Sequence, residues 1–288
     1  MPGAEATIAV IGGSGLYEMD GLRDVHSLKV STPFGDPSDE IVVAQLGEQR
    51  IAFLPRHGRG HRLSPSEVPS RANIYALKTL GVEHIVSVSA VGSLREDIAP
   101  LHAVIPDQLF DRTRRGPSTF FGHGLVAHIS FAEPFCPELS AILYDAAKSC
   151  GATVHRGGVY VCIEGPQFST KGESQVYRQW GMDIIGMTAL PEAKLAREAE
   201  ICYATLAFVT DYDVWRESEE PVTVAMIVGN LLKNVRLAKR IVKAAVPKIS
   251  AQRECVCAKA LQNAIITSKD RIPENVKEEL APIIGRYV

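Results

Sequence analysis

The stretch Ile201-Cys-Tyr-Ala-Thr-Leu-Ala-Phe-Val209 is a continuous apolar run, and Thr210-Asp-Tyr-Asp-Val-Trp215 follows it with two carboxylates. Such a run predicts a strand buried on both faces of an α/β sheet. Open sheets of this class bind ligands outside the carboxyl ends of their strands, where Asp211 and Asp213 are expected. A carboxyl held partly away from water has a raised pKa and can carry a proton near neutral pH. Either acid could instead cap a helix or form a turn, and this stretch alone leaves both interpretations open.

Apolar runs and helix-period segments alternate along the whole chain. Strands are predicted at 7–11, 41–44, 50–54, 84–88, 103–109, 159–163, 182–185 and 201–209. Helices are predicted at 72–80, 136–150, 172–180, 191–199 and 222–245. The alternation predicts one α/β domain over residues 1–288, with a helical tail from about residue 250 onward. Two strands in quick succession before residue 55 favour a mixed sheet over a purely parallel one.

The composition excludes several classes of protein. A chain of 288 residues with 46% hydrophobic residues and a net charge of −2 is typical of a globular protein with a substantial core. It has no basic cluster, so no nucleic-acid partner is expected. No apolar run approaches the ~18 residues of a membrane span. The first residues lack the features of a signal peptide, so we expect a cytoplasmic protein.

The six cysteines are scattered, which favours reduced and mostly buried thiols. Cys255-Val-Cys257 is the exception, since such a pair is either a strained disulfide, half of a metal site, or a chance occurrence. Because no second group of ligands accompanies the pair in the sequence, no metal site is predicted.

Three strand ends carry groups suited to binding an anion. Ile11-Gly-Gly-Ser-Gly15 offers backbone N–H groups and the Ser14 hydroxyl, although it is neither a complete dinucleotide fingerprint nor a P-loop. Arg56-His-Gly-Arg-Gly-His61 places Arg and His donors directly after a strand. Ser87-Val-Ser-Ala-Val-Gly-Ser93 presents further N–H groups and the Ser89 hydroxyl. Each could be an ordinary turn, but together they favour a phosphate site.

Two more strand ends suit a nucleoside. In Cys162-Ile-Glu-Gly-Pro-Gln-Phe-Ser169, Phe168 either stacks on a flat base or belongs to the core, and Glu164 can accept from sugar hydroxyls. In Ile185-Gly-Met-Thr188, Met187 either faces a sugar or fills the core, and the threonine hydroxyl suits phosphate.

In their order, these motifs resemble the trimeric purine nucleoside phosphorylases, most closely the 5′-methylthioadenosine phosphorylase branch. Thr32-Pro-Phe-Gly-Asp-Pro-Ser-Asp39 and Phe131-Ala-Glu-Pro-Phe-Cys136 belong to the same resemblance, which runs from about residue 7 to about residue 248. It implies a mixed, distorted central β-sheet surrounded by helices. It also implies a homotrimer or a dimer of trimers. The small-molecule partners that it implies are a purine nucleoside and phosphate. The reaction implied is reversible phosphorolysis of 5′-methylthioadenosine to adenine and 5-methylthioribose 1-phosphate, without metal or organic cofactor.

The resemblance implies roles for individual residues. Asp211 is expected to donate a proton to N7 of the leaving purine, and Asp213 to bind its 6-amino group. Phosphate contacts fall on Ser14, Arg56, His57, Ser89, Ala90 and Thr188. The remaining substrate contacts fall on Met187 for the ribose, Phe168 for the purine stack, Ser169 and Val224 for base specificity, and His128 for the 5′ pocket of a neighbouring subunit.

The aspartates favour adenine as the base, because a carboxylate accepts from a 6-amino group, whereas the 6-oxopurine enzymes typically place an asparagine there. One alternative is a broader purine nucleoside or methylthioinosine phosphorylase. Another, of a different class, is a nucleotide-binding oxidoreductase, which the incomplete glycine fingerprint disfavours. Hyperthermophile relatives carry a C-x-C near the end, so disulfides Cys255–Cys257 and Cys136–Cys202 are a further hypothesis.

Overall fold

The computed structural model describes residues 4–13, 15–216 and 224–288, with the backbone alone for 224–228. Within them, eleven strands form one sheet. The strands are β1 (Ile8–Gly12), β2 (Leu22–Leu28), β3 (Ile41–Leu46), β4 (Gln49–Pro55), β5 (His84–Ser93), β6 (Ala103–Ile105), β7 (Gln108–Arg112), β8 (Val154–Arg156), β9 (Val159–Ile163), β10 (Ile184–Gly186) and β11 (Cys202–Asp211).

The long strand β5 is the branch point of the sheet. One path runs in the order β2-β3-β4-β1-β5-β10-β9-β7, and β11 leaves β5 to carry β6 and then β8. β5 is parallel to β1 and β11, but its last two residues pair antiparallel with β10. β3 and β4 are also antiparallel. The predicted mixed, distorted sheet is therefore confirmed.

Helices cover the sheet, and the five predicted ones are present, with their described ends shifted by at most two residues. Residues 222–223 of the last predicted helix lie outside the described residues. α3 begins with a capping box, in which the Thr170 hydroxyl accepts from the Glu173 N–H and the Glu173 carboxylate accepts from the Thr170 N–H. The helices are α1 (Ser70–Thr79), α2 (Pro137–Ser149), α3 (Lys171–Gln179), α4 (Glu192–Glu198), α5 (Val224–Ala245), α6 (Glu274–Glu279) and α7 (Ala281–Ile284). None of the helices in the described part of the chain is long and apolar enough to cross a membrane.

Two strands were not predicted, and one predicted strand is divided. β2 is an edge strand whose residues are largely exposed, so it lacks the apolar run of a buried strand. β8 has only three residues. The run at 103–109 divides into β6 and β7 around Pro106, which has no N–H to donate to a neighbouring strand.

The parallel strands bring the predicted motifs to one edge of the sheet. Gly12 at the end of β1 lies beside Pro55 at the end of β4. β11 is buried until its last residue. Asn230 and Asn234 of α5 hold the end of β11 by donating to the carbonyls of Thr210 and Val209.

Candidate active site

Arg56 follows β4 and is almost fully buried. Its Nε and Nη2 donate to the Glu192 carboxylate at 2.5 and 3.1 Å, and Nη2 also donates to Ser87 Oγ at 2.7 Å. Nη1 donates to the Val88 carbonyl at 3.0 Å. Burial alone lowers the pKa of Arg56, but the carboxylate of Glu192 outweighs it and the pKa is raised. The guanidinium therefore stays charged and ties β4, β5 and α4 together, with its charge balanced inside the protein.

Sequence reasoning missed Glu192, because its partner lies 136 residues away and no local pattern marks the pair.

Two predicted phosphate residues form a hydroxyl pair. Ser89 Oγ on β5 lies 2.8 Å from Thr188 Oγ1, which follows β10. The buried Tyr160 hydroxyl lies 3.3 Å from the same threonine oxygen, and burial raises the pKa of Tyr160 to about 12. Ala90, next to Ser89, is exposed. The structure thus brings Ser89, Ala90 and Thr188 together as neutral hydroxyl and backbone donors.

His57 is neutral at physiological pH. Its Nδ1–H donates to the Leu63 carbonyl at 2.9 Å, and its ring stacks on His61 with the centroids 4.4 Å apart. Burial, followed by the charge of Arg56, lowers the pKa of His57 to about 4. Since Nδ1 carries the proton, Nε2 is left as an acceptor. Ser14 lies outside the described residues, but the neighbouring Gly12 carbonyl accepts the Arg56 backbone N–H at 2.9 Å.

A narrow cleft extends from Arg56 and His57 to Met187 and Thr188. Arg115, which was not predicted, lines it and donates to the carbonyls of Glu164 at 2.6 Å and Leu190 at 3.0 Å. Both carboxylate oxygens of Glu164 are engaged, one by the Arg114 N–H and the other by the Ser66 hydroxyl. Glu164 therefore supports the loop rather than standing free for a sugar. The cleft is lined by Arg56, His57, Pro65, Val68, Ser70, Arg115, Met187, Thr188, Leu190 and Glu192.

The loop after β9 presents the predicted base-binding residues. Gly165 has a φ of +66°, which glycine adopts without strain, and a Cβ there would lie 2.4 Å from the Met187 Sδ. Phe168 is 66% exposed and is not a core residue. Ser169 is buried, and its hydroxyl has no hydrogen-bond partner within the described chain. An exposed ring and an unpaired hydroxyl lie next to each other in sequence.

Asp211 ends β11 and accepts two hydrogen bonds, from the Thr210 hydroxyl at 2.7 Å and from the Asp213 N–H at 2.8 Å. The second bond makes the turn that was one of the open interpretations. Gly92 of β5 lies against the carboxylate, since a Cβ on it would be 3.1 Å from Asp211 Oδ1.

Asp213 lies in this turn, in the left-handed region with a φ of +52°. It is buried, and its Oδ2 has no hydrogen-bond partner among the described residues. Burial raises the pKa of the Asp213 carboxyl, and the neighbouring Asp211 adds to the rise. The structure thus places one acid with satisfied oxygens beside a second acid that holds a proton more readily than an exposed aspartate.

Two predicted residues are not joined to this group. His128 is exposed, and its backbone N–H donates to the Ala264 carbonyl of the C-terminal segment at 2.8 Å. Val224 begins α5, but its side chain lies outside the described residues.

The geometry gives the site two ends on one strand. Ser89 and Gly92 are three residues apart on β5, about 10 Å at the rise of an extended strand. Hydroxyl and backbone donors surround Ser89, and the acid pair lies beside Gly92. The arrangement can hold an anion at one end and a planar, hydrogen-bonding group at the other.

Comparison with known proteins identifies the family. The model of the phosphorylase superfamily matches residues 7–247. The S-methyl-5′-thioadenosine phosphorylase of Geobacter sulfurreducens is 60% identical over 99% of this chain and 100% of its own length. The crystal structure of a methylthioadenosine phosphorylase from an Antarctic soil metagenomic library superposes with a TM-score of 0.94 at 53% identity, covering 97% of this chain and 99% of that one. The methylthioadenosine phosphorylase of Schistosoma mansoni in complex with adenine has a TM-score of 0.80 at 36% identity, covering 97% and 98%. The chain therefore belongs to the phosphorylase superfamily, among the S-methyl-5′-thioadenosine phosphorylases.

Proposed function

We propose that this enzyme catalyses the reversible phosphorolysis of 5′-methylthioadenosine, releasing adenine and 5-methylthioribose 1-phosphate. It is a pentosyltransferase of purine and methionine salvage. One geometric observation carries the proposal. The hydroxyls of Ser89 and Thr188 lie at one end of a short stretch of β5, and the acids Asp211 and Asp213 lie at its other end. A ribose between them presents its anomeric carbon to phosphate on one side and its purine to the acids on the other.

At the phosphate end, the Ser89 and Thr188 hydroxyls and the Ala90 backbone supply donors. A guanidinium has five N–H protons, and the described contacts of Arg56 leave one Nη1 proton for phosphate. His57 Nε2 accepts a hydrogen bond from the P–OH group of monohydrogen phosphate. Ser14 adds a hydroxyl from the glycine loop. No metal or organic cofactor is needed for this step.

Catalysis lies in the departure of the purine. As the C1′–N9 bond breaks, its electron pair moves onto the base while a phosphate oxygen bonds to C1′. A proton delivered to N7 neutralises the leaving group, and such general acid catalysis typically contributes about 10²–10⁴-fold. The proton is restored to the acid pair from monohydrogen phosphate through solvent, so the overall reaction neither consumes nor releases a proton.

Adenine requires one protonated and one ionised acid, because N7 accepts a hydrogen bond and the 6-amino group donates one. We assign Asp211 to N7 and Asp213 to the amino group in the complex. The raised pKa of Asp213 supports storage of the shared proton there in the free enzyme. Substrate binding then moves this proton to Asp211, since the amino group needs an ionised Asp213. Phe168 stacks on the base, the free Ser169 hydroxyl binds its edge, and Met187 contacts the ribose.

A substrate panel tests the function. Phosphate-dependent release of the base should be fastest with 5′-methylthioadenosine, slower with adenosine and slowest with inosine. Inosine as the best substrate would instead identify a 6-oxopurine enzyme, and the absence of phosphorolysis with every nucleoside would refute the proposal.

Exchange of one acid tests the assignment of roles. Asp213→Asn replaces an acceptor by a donor and should raise the ratio of kcat/KM for 5′-methylthioinosine over 5′-methylthioadenosine at least tenfold. Asp211→Asn should leave that ratio nearer the wild-type value. If instead Asp211→Asn alone changes the ratio, the two roles are reversed.

We also propose a cytoplasmic homotrimer, in which the exposed His128 completes the 5′ pocket of a neighbouring subunit. Light scattering should give three times the subunit mass of 31.3 kDa, or six times for a dimer of trimers. His128→Ala should raise KM for 5′-methylthioadenosine and leave KM for phosphate unchanged. A monomer with full activity contradicts this assembly.

A further inference from the structure

Four cysteines that are distant in sequence meet in the interior, away from the phosphate and base ends of the site. Cys136 precedes α2, Cys202 begins β11, and Cys255 and Cys257 lie at a 3₁₀ turn (Val256–Lys259) in the C-terminal segment. All four are buried, and their Sγ atoms lie within 4.8 Å of one another. Folding thus supplies the second pair of ligands that sequence analysis did not find near Cys255 and Cys257.

The four sulfur atoms lie close enough to one another to bind a single metal ion. With a Zn–S bond of about 2.3 Å, the edges of a ZnS₄ tetrahedron are about 3.8 Å long. The Cys202 and Cys255 sulfurs are 3.3 Å apart, and all the others fall under the 4.8 Å limit. Mutual proximity of all four sulfurs is what a shared metal requires, whereas two disulfides require proximity only within each pair. Moreover, the 3.3 Å contact joins Cys202 to Cys255, which belong to two different disulfides in the earlier hypothesis.

The surroundings suit a buried thiolate complex. Cys136 occupies the N-cap position of α2, where the positive end of the helix dipole favours a thiolate. The buried Arg197 guanidinium lies close enough to Cys257 to act on its charge. It partly balances the −2 charge of a zinc ion with four thiolates.

We propose that Cys136, Cys202, Cys255 and Cys257 bind one Zn²⁺ per chain in a closed structural site. Binding releases four thiol protons, and the four sulfurs fill the coordination sphere, so the metal has no open position for catalysis. The site fastens the C-terminal segment to α2 and to the start of β11, the strand whose far end carries the acid pair. Zinc suits four thiolates in tetrahedral geometry better than Mg²⁺ or Ca²⁺, which prefer oxygen ligands.

The metal content of protein purified from zinc-supplemented cells, under reducing conditions and without chelator, tests the site. Wild type should contain one zinc per chain by elemental analysis, and X-ray absorption should report only sulfur neighbours at about 2.3 Å. Cys257→Ser should lose at least nine tenths of the zinc. Cys150→Ser is the matched control, since Cys150 is a half-buried cysteine that adjoins α2 outside the cluster, and its zinc content should be unchanged.

A second measurement covers the case in which Cys257→Ser does not fold. Metal-free wild type, prepared by mercurial displacement of the metal and reduction, should take up one equivalent of Co²⁺ with the visible bands of tetrahedral cobalt–thiolate coordination. Zinc should then displace the cobalt and raise Tm above that of the metal-free protein. The proposal is wrong if wild type contains no zinc and takes up neither metal. Iron or copper at one equivalent in place of zinc, an intact mass two hydrogens lower for each disulfide, or full zinc in folded Cys257→Ser would equally refute it.

Discussion

The two ends of the proposed active site differ in how fully their polar side chains are paired before substrate binds. At the phosphate end, Arg56 is paired with Glu192, and Ser89 is paired with Thr188. At the base end, Phe168 is exposed and the buried Asp213 Oδ2 has no hydrogen-bond partner among the described residues. An unpaired buried polar group is costly, so the base end gains most when a ligand supplies the missing partner. The phosphate end is preorganised, because contacts within the fold already hold its side chains in place before phosphate binds.

The largest effect is expected at the acid pair. Asp211→Ala removes the group assigned to N7, and kcat should fall by about 10²–10⁴-fold, the usual contribution of a general acid. KM for phosphate should change little, because the proposed phosphate donors lie on β5 and in the segments after β1, β4 and β10. Steady-state kinetics with each substrate varied in turn measures both quantities.

Asp211→Asn is the control, since its amide can still donate a hydrogen bond to N7 and should retain more activity than the alanine variant. Equal losses in kcat and in phosphate affinity for Asp211→Ala would contradict the separation of the two ends.

The next effect concerns stability at the phosphate end. Removing one member of a buried ion pair strands the other charge and typically costs about 3–5 kcal/mol, so Arg56→Met and Glu192→Gln should both unfold at lower denaturant concentration. Their kinetics should diverge. Arg56→Met should raise KM for phosphate, whereas Glu192→Gln frees the cation and should leave this KM unchanged or lower it.

The double variant Arg56→Met/Glu192→Met separates the two roles of the ion pair. It should recover stability relative to Arg56→Met, because no buried charge is left alone. Its KM for phosphate should stay high. Recovery of phosphate affinity together with stability would show that Arg56 acts only through the fold.

The strands that carry the site were predictable from sequence because their signals are local. Apolar runs that end in Gly-Gly, Arg-His or Asp-x-Asp show both the strand and the chemistry at its end, and parallel pairing brings those ends together. The exposed edge strand β2 gave no such signal, because its residues face solvent and lack an apolar run.

Long-range pairing between side chains could not be predicted in this way. Glu192 balances a cation 136 residues away, and Cys202 meets Cys255 across 53 residues. Both partnerships depend on how α4 and the C-terminal segment pack against β11, which no pattern in either segment encodes. The unpaired state of Ser169 and Asp213 also depends on the packing of distant elements around them.

A smaller effect is expected from Phe168. Its ring is 66% exposed, so Phe168→Ala should leave Tm unchanged. Loss of an aromatic stack costs about 0.5–1.5 kcal/mol, which should raise KM for 5′-methylthioadenosine about 2- to 10-fold and leave KM for phosphate unaltered. Phe168→Tyr keeps the stack and should behave as wild type. A drop in Tm for the alanine variant would mean that the ring supports the loop rather than the base.

The last effect is a pH dependence of stability at the phosphate end, which follows from the neutral state of His57. Its pKa is about 4 in the folded protein against 6.5 in the unfolded chain, so between these values the unfolded state binds a proton that the folded state does not. The histidine therefore lowers the free energy of unfolding as pH falls from about 6.5 towards about 4.

His57→Asn cannot titrate there, while its amide can still donate to the Leu63 carbonyl. The variant should gain stability relative to wild type as pH is lowered from 7.5 to 5 in phosphate-free urea titrations, starting from ~pH 7.5 where His57 is neutral in both states. His84, whose pKa is lowered to about 4 as well, is present in both proteins and cancels in the difference. A difference that is independent of pH would mean that His57 is protonated equally in both states, and that the phosphate end is less closed to water than its burial indicates.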